Sequence, residues 1–194
     1  MSFEIDFLSN NKEVLLFKNI FIDINSIILE LEKCNWKFWG RDNNDPDSQL
    51  GYSTFMAEND GLRKHLVETT EKCVEEYFRI NEKDIKDYTF YKDDFHVRKW
   101  IFPMKGMPPH TDYTYSLAGE KTSVSFTVCG YLNDDYEGGE FMLPEHNWQQ
   151  KPPAGSLIIF PSHTLHGVTD LLDKHRYMWT TFVYSIEELA KARY

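Results

Sequence analysis

Residues 156–185 read SLIIFPSHTLHGVTDLLDKHRYMWTTFVYS. Ser156–Phe160 and Arg176–Ser185 are dense in aliphatic, β-branched and aromatic residues, the composition of buried strands. The segment between them carries Pro161, Gly167 and a polar turn, so the two runs are separate strands. Toward the N-terminus, the same composition predicts strands over Tyr88–Tyr91, His96–Phe102, Thr122–Leu132 and Glu140–Leu143. The clusters PMKGMPP, NDDYEGG and KPPAGS punctuate them. Short strands at close intervals with Gly/Pro turns predict a sandwich or barrel.

Before residue 85 the pattern changes to helical periodicity. Ile24, Ile27, Ile28, Leu31 and Cys34 form one apolar stripe, with Asp23 placed to cap it. Leu62, Leu66, Cys73, Val74, Tyr77 and Phe78 form a second, longer stripe. Residues 40–51, GRDNNDPDSQLG, read as a loop. A short helix over Ile186–Arg193 is expected to close the chain. The expectation is one domain over 1–194, mainly β with flanking helices (α+β). Residues 1–85 form an N-terminal embellishment, 86–186 the β core and 187–194 a C-terminal helix.

The chain has 194 residues and a formal net charge of −10. So acidic a chain is a poor partner for the phosphate backbone, and no nucleic-acid partner is expected. Its 14 Phe, 11 Tyr and 5 Trp exclude a disordered class. No apolar run approaches a membrane span, so no membrane partner is expected. The start MSFEIDFLSNNK lacks the basic and apolar regions of a secretory signal. The three cysteines are widely separated and form no C-x-x-C pair, which suits a reducing, cytoplasmic setting. Part of the acidity gathers in turns, including Asp134, Asp135 and Glu137. If those turns rim the barrel mouth, they favour a basic or neutral substrate.

Seven histidines are present. His110 and Asp112 lie two apart, so in an extended segment they project to one face. FPSHTLHGV supplies a further imidazole, His163 or His166, and Arg176 follows at the head of the last strand. Two imidazoles and one carboxylate on one side of a metal leave positions open, the arrangement of non-haem Fe(II) oxygenases. An arginine in the same barrel suits a carboxylate cosubstrate. No nucleophile elbow is found.

In order along the chain stand PPHTD, SFTVCGYLNDDYEGGEF, KPPAGSLIIFPSHTLHGV and HRYMWTTFVY. This ordered set resembles the Fe(II)- and 2-oxoglutarate-dependent dioxygenases, in particular the prolyl 4-hydroxylase-like branch. The resemblance covers roughly residues 86–186, about half the chain. It implies a double-stranded β-helix (jelly-roll, cupin-like) core with the N-terminal helices packed on its outer sheet. It implies His110, Asp112 and His166 as iron ligands, with His166 preferred to His163 because it follows Leu165 and precedes Arg176 by ten residues. Arg176, Tyr131 and Thr180 are implied for the distal carboxylate of 2-oxoglutarate. Trp100 falls where relatives commonly carry Tyr, and its indole can donate but not accept. The implied cofactors are Fe(II), 2-oxoglutarate and O2, with ascorbate as a supporting reductant. The implied activity is hydroxylation of an aliphatic C–H bond, with succinate and CO2 as coproducts. A prolyl residue of a peptide or protein is one substrate class, and a free amino acid or small metabolite another. A non-catalytic cupin-like binding module is the alternative outside enzymology.

Overall fold

The computed structural model describes residues 3–21, 23–40, 50–54, 60–90, 95–112, 114–115, 121–122 and 124–191. The chain opens with β1 (Glu4–Phe7), β2 (Leu15–Lys18) and α1 (Ile24–Leu31). There follow β3 (Lys37–Gly40), β4 (Leu50–Thr54) and the long α2 (Asp60–Ile80). Then come β5 (Tyr88–Phe90), β6 (His96–Trp100), β7 (Met107–His110), β8 (Thr114–Tyr115) and β9 (Lys121–Thr122). The last part carries β10 (Phe126–Tyr131), β11 (Phe141–Leu143), β12 (Trp148–Gln150), β13 (Ser156–Pro161) and β14 (His166–Val168). It ends in β15 (Arg176–Ser185) and α3 (Ile186–Lys191).

The larger sheet runs β1-β2-β13-β10-β15-β6-β4-β3, with β5 on the far part of β15. The smaller runs β12-β11-β14-β7, and β8 pairs with β9. These sheets and flanking helices form the jelly-roll layout expected from the resemblance. Side chains of the larger sheet alternate between two cores, as a strand's period of two requires. Leu15, Phe17, Val97, Phe126, Val128, Leu157, Ile159, Trp179 and Val183 face the helices, meeting Leu31 of α1 and Leu66, Val74, Tyr77 and Phe78 of α2. Leu16, Trp100, Cys129, Tyr131, Ile158, Phe160 and Met178 face the other way, meeting Phe141 and Leu143 of the smaller sheet.

The Asp23 cap forms, its carboxylate accepting from the Ser26 N–H at 3.2 Å. The helix ends at Leu31, short of Cys34. The hairpin β1–β2 was not signalled, because two four-residue strands offer too few alternations to register as a pattern. Its second strand extends the sheet by pairing with β13, Leu157 opposite Phe17. The stretch expected as a loop over 40–51 is bounded by β3 and β4, which pair antiparallel with Gly40 opposite Leu50. Residues 41–49 lie outside the described residues, as do 192–194 of the predicted terminal helix. The strand expected over Thr122–Leu132 is divided, its ordered ladder being Phe126–Tyr131. Among the described residues no helix is long and apolar enough to cross a membrane.

One contact joins the helical layer to the strand most involved in the cavity. The Trp179 ring is fully buried, and its indole N–H donates to the Thr70 hydroxyl of α2 at 3.1 Å. Gly130 lies opposite Trp179 in the ladder. A Cβ there would sit 2.0 Å from the indole ring, so only glycine admits it. Gly130→Ala is therefore expected to lower unfolding free energy by about 1–3 kcal/mol, the usual result of overpacking. Urea denaturation checks this, and an unchanged midpoint would refute it.

Candidate metal centre

The smaller sheet builds the centre. β7 and β14 pair antiparallel with His110 directly opposite His166, and the register shifts between His166 and Val168. The two imidazole centroids are 4.4 Å apart. Beyond β7 the chain stays tied to the segment before β14, because the Asp112 N–H donates to the Ser162 carbonyl at 2.9 Å. Asp112 thereby reaches both rings. Its two oxygens lie 3.5 Å from His110 Nε2 and 3.5 Å from His166 Nε2. One ligand atom from each of the three residues falls within 4.8 Å of the others.

Hydrogen bonds orient each group. His110 Nδ1 lies 3.0 Å from the Pro108 carbonyl and His166 Nδ1 lies 3.0 Å from the Thr164 carbonyl. A carbonyl only accepts, so each Nδ1 carries the hydrogen and each neutral ring presents the Nε2 lone pair to the cluster. The Thr127 hydroxyl donates to Asp112 Oδ2 at 2.7 Å and lies 3.0 Å from the Ser162 hydroxyl. Phe160 and Phe141 flank the His166 ring at 4.7 and 5.7 Å. Burial lowers the His166 pKa against the opposing pull of Asp112, which favours neutral imidazole. Burial acts to raise the Asp112 pKa. The proximity of the His110 and His166 imidazoles and the Thr127 hydroxyl donor outweigh it and hold the carboxyl below its ordinary value.

The donor set is two imidazole nitrogens and a carboxylate, from one side, with no thiolate. Cys129 lines the same cavity, but burial pushes its thiol up to about 12, so it stays protonated. These residues fit a divalent first-row ion with open positions, Fe(II) among them.

The cavity of about 90 Å³ continues from the cluster between the sheets. Arg176, Tyr131, Thr180 and Trp100 line it, as do the apolar Phe141, Met178 and Val168. Arg176 is 2% exposed and its guanidinium donates to the Gly139 carbonyl at 3.0 Å. The buried Nε of Arg176 and the hydroxyl of Thr180 have no hydrogen-bond partner among the described residues. Such groups are costly unless a polar ligand meets them. Burial raises the Tyr131 pKa well above the usual phenol value, keeping it a neutral donor.

The structure thus brings His110, Asp112, His166, Arg176, Tyr131 and Thr180 around one cavity. His163 is exposed and lies apart from the cluster. Trp100 stands across the ladder from Arg176, with the guanidinium carbon 5.5 Å from its ring. Sequence reasoning missed Thr127 and Arg98, both of which line the cavity. Alternation carried the signal, since Arg98 shares a face with Trp100, and Thr127 shares one with Cys129 and Tyr131.

A sequence profile described as the 2OG-Fe(II) oxygenase superfamily matches residues 96–184. A PKHD-type hydroxylase of Synechococcus sp. (strain JA-2-3B'a(2-13)) is 37% identical over 68 residues, covering 34% of this chain and 30% of that protein. The match thus spans about a third of this relative's length. A PKHD-type hydroxylase of Prochlorococcus marinus (strain MIT 9301) is 25% identical over 177 residues, covering 88% of this chain and 77% of that one. Among solved structures, a viral collagen prolyl hydroxylase of Paramecium Bursaria Chlorella virus-1, in complex with 2OG, superposes with a TM-score of 0.65. It is 18% identical, with 90% of this chain and 97% of that chain covered, and so shares the fold.

Two outcomes follow from the geometry. His166→Ala is expected to lose divalent-metal affinity in a titration, whereas His163→Ala should titrate like the wild type. Thr127→Val, which frees Asp112 to rotate, should weaken metal binding roughly 10- to 100-fold with the fold intact by circular dichroism.

Proposed function

We propose that this chain, which belongs to the 2OG-Fe(II) oxygenase superfamily, is a ferrous- and 2-oxoglutarate-dependent dioxygenase acting on an aliphatic C–H bond. The observation that carries the reading is the meeting of an inward-facing His-Asp-His cluster with a buried arginine in one cavity. Fe(II), 2-oxoglutarate and O2 bound there would supply oxidative decarboxylation of the cosubstrate to succinate and CO2, coupled to hydroxylation.

The chain's own residues have separable tasks. His110, Asp112 and His166 hold the metal from one side, and the carbonyls of Pro108 and Thr164 keep the imidazoles in the ligating tautomer. Arg176 holds the distal carboxylate of 2-oxoglutarate through its guanidinium fork. Tyr131 and Thr180 add hydroxyl donors to the same carboxylate. Phe141, Val168 and Met178 wall the cavity with apolar surface, which strengthens those charge contacts by excluding water. The substrate classes are a prolyl residue of a peptide or protein, as the names of similar structures suggest, and a free amino acid or small metabolite.

The test is iron-dependent succinate release from 2-oxoglutarate. Asp112→Ala should reduce it to background, and near-normal turnover would refute the ligand assignment. Arg176→Ala should raise the 2-oxoglutarate requirement by roughly 100-fold, the cost of removing one partner of a buried charge pair. An unchanged requirement would mean that another group holds that carboxylate.

A further inference from the structure

The ladder between β10 and β15 ends with Tyr131 opposite Met178, two residues short of Arg176. On its other edge β15 stays paired as far as Arg176, which stands opposite Trp100 of β6. Continued in register, the β10 side would set Asn133 opposite Arg176. Leu132 still donates its N–H to the Tyr177 carbonyl at 2.9 Å. In a regular antiparallel ladder the Leu132 carbonyl and the Asp134 N–H would then serve the Tyr177 N–H and the His175 carbonyl. The Asn133 side chain serves both instead. Its Oδ1 accepts from the Tyr177 N–H at 2.8 Å, and its Nδ2 donates to the His175 carbonyl at 2.8 Å.

Nδ2 also donates to Asp135 Oδ1 at 2.9 Å, and Asp135 Oδ2 accepts from Lys174 at 3.1 Å. A carbonyl and a carboxylate only accept and an N–H only donates, so a single orientation of the amide satisfies all three contacts. Asn133 is 9% exposed, which makes water a poor substitute for them. The side chain thus grips the peptide groups on both sides of Arg176. The same turn reaches the head of that residue, because the Gly139 carbonyl accepts from its guanidinium at 3.0 Å. The metal ligands stand on β7, just beyond it and on β14, whereas Asn133 acts on the start of β15.

We propose that Asn133 is a positioning residue for the cosubstrate, fixing the backbone at Arg176 so that the guanidinium meets the distal carboxylate of 2-oxoglutarate. This rests on the reading that Arg176 holds that carboxylate. A forked arginine–carboxylate contact needs the guanidinium in one plane and at one depth, so a small backbone shift at its base weakens it.

Protein loaded with Zn(II), which has no redox chemistry, tests the inference by binding alone. Calorimetry compares 2-oxoglutarate with 2-oxopentanoate, which keeps the 2-oxo acid and the chain length but lacks the distal carboxylate. The wild type should prefer 2-oxoglutarate, and Arg176→Gln should remove most of that preference. Asn133→Ala should weaken 2-oxoglutarate about tenfold, the worth of one charge-assisted hydrogen bond, and leave 2-oxopentanoate and Zn(II) within about twofold. Asn133→Asp keeps the size and the acceptor but sets a second acceptor against the His175 carbonyl, and should weaken 2-oxoglutarate at least as much. In the Arg176→Gln background Asn133→Ala should change 2-oxoglutarate affinity by less than about twofold, because it acts through that arginine.

A uniform loss, in which 2-oxopentanoate and Zn(II) weaken as much as 2-oxoglutarate, overturns the inference in favour of a role in the fold alone. Failure of both Asn133 variants to fold, judged by circular dichroism, overturns it in the same way. If Arg176→Gln leaves the preference for 2-oxoglutarate intact, the underlying reading falls and this inference with it. If Arg176→Gln removes the preference and neither Asn133 variant reduces it, this inference alone falls.

Discussion

The site depends on one antiparallel contact, β7 against β14, with His110 and His166 face to face across it. Directly opposed residues in such a pair have the closest side chains a sheet offers. The contact is laced a second time by the bond from the Asp112 N–H to the Ser162 carbonyl. Both histidines use the same local device, a backbone carbonyl two residues upstream that fixes the ring. A carboxylate and two imidazole lone pairs then converge in a half-buried space. In water these groups would be solvated separately. Here they are held together by strand pairing, and a cation at their centre offsets the cost of gathering them.

Much of this was legible in the chain because period two is a strong signal. The inner and outer faces of β10, β13 and β15 follow directly from alternation, and so does the projection of His110 and Asp112 to one side. Alternation failed where strands are short or irregular. β14 has three residues and a register shift, so His163 and His166 could not be separated by counting. The resemblance chose His166, and the geometry places that residue at the cluster. The hairpin β1–β2 and the strands flanking residues 41–49 were invisible because each offers only four or five residues. Arg98 was overlooked because a charged residue in a strand reads as solvent-facing unless its neighbour two positions on is known to be buried.

Total charge proved a poor guide to the site. The chain is strongly acidic, yet guanidiniums outnumber carboxylates among the described residues of the cavity. The carboxylates of the acidic turn make local contacts. Asp134 accepts from the Ala154 N–H, and Asp135 pairs with Lys174 and Asn133. Among the described residues two guanidiniums sit inside the cavity while Asp134 and Asp135 lie in a turn, a placement that the sum over the sequence conceals.

β6 has two faces with different work. Arg98 and Trp100 point into the cavity, while Lys99 between them donates to Glu32, just beyond α1, which also accepts from the Tyr177 hydroxyl of β15. The outer face thus binds β6 and β15 to the segment after α1, and the inner faces of the same strands present the two guanidiniums. Inheritance can therefore act on each face separately. Substitutions at Lys99 or Tyr177 act on how the frame is held, and substitutions at Arg98 act on the lining of the cavity. A five-residue strand so divided separates the fastening of the frame from the lining of the cavity.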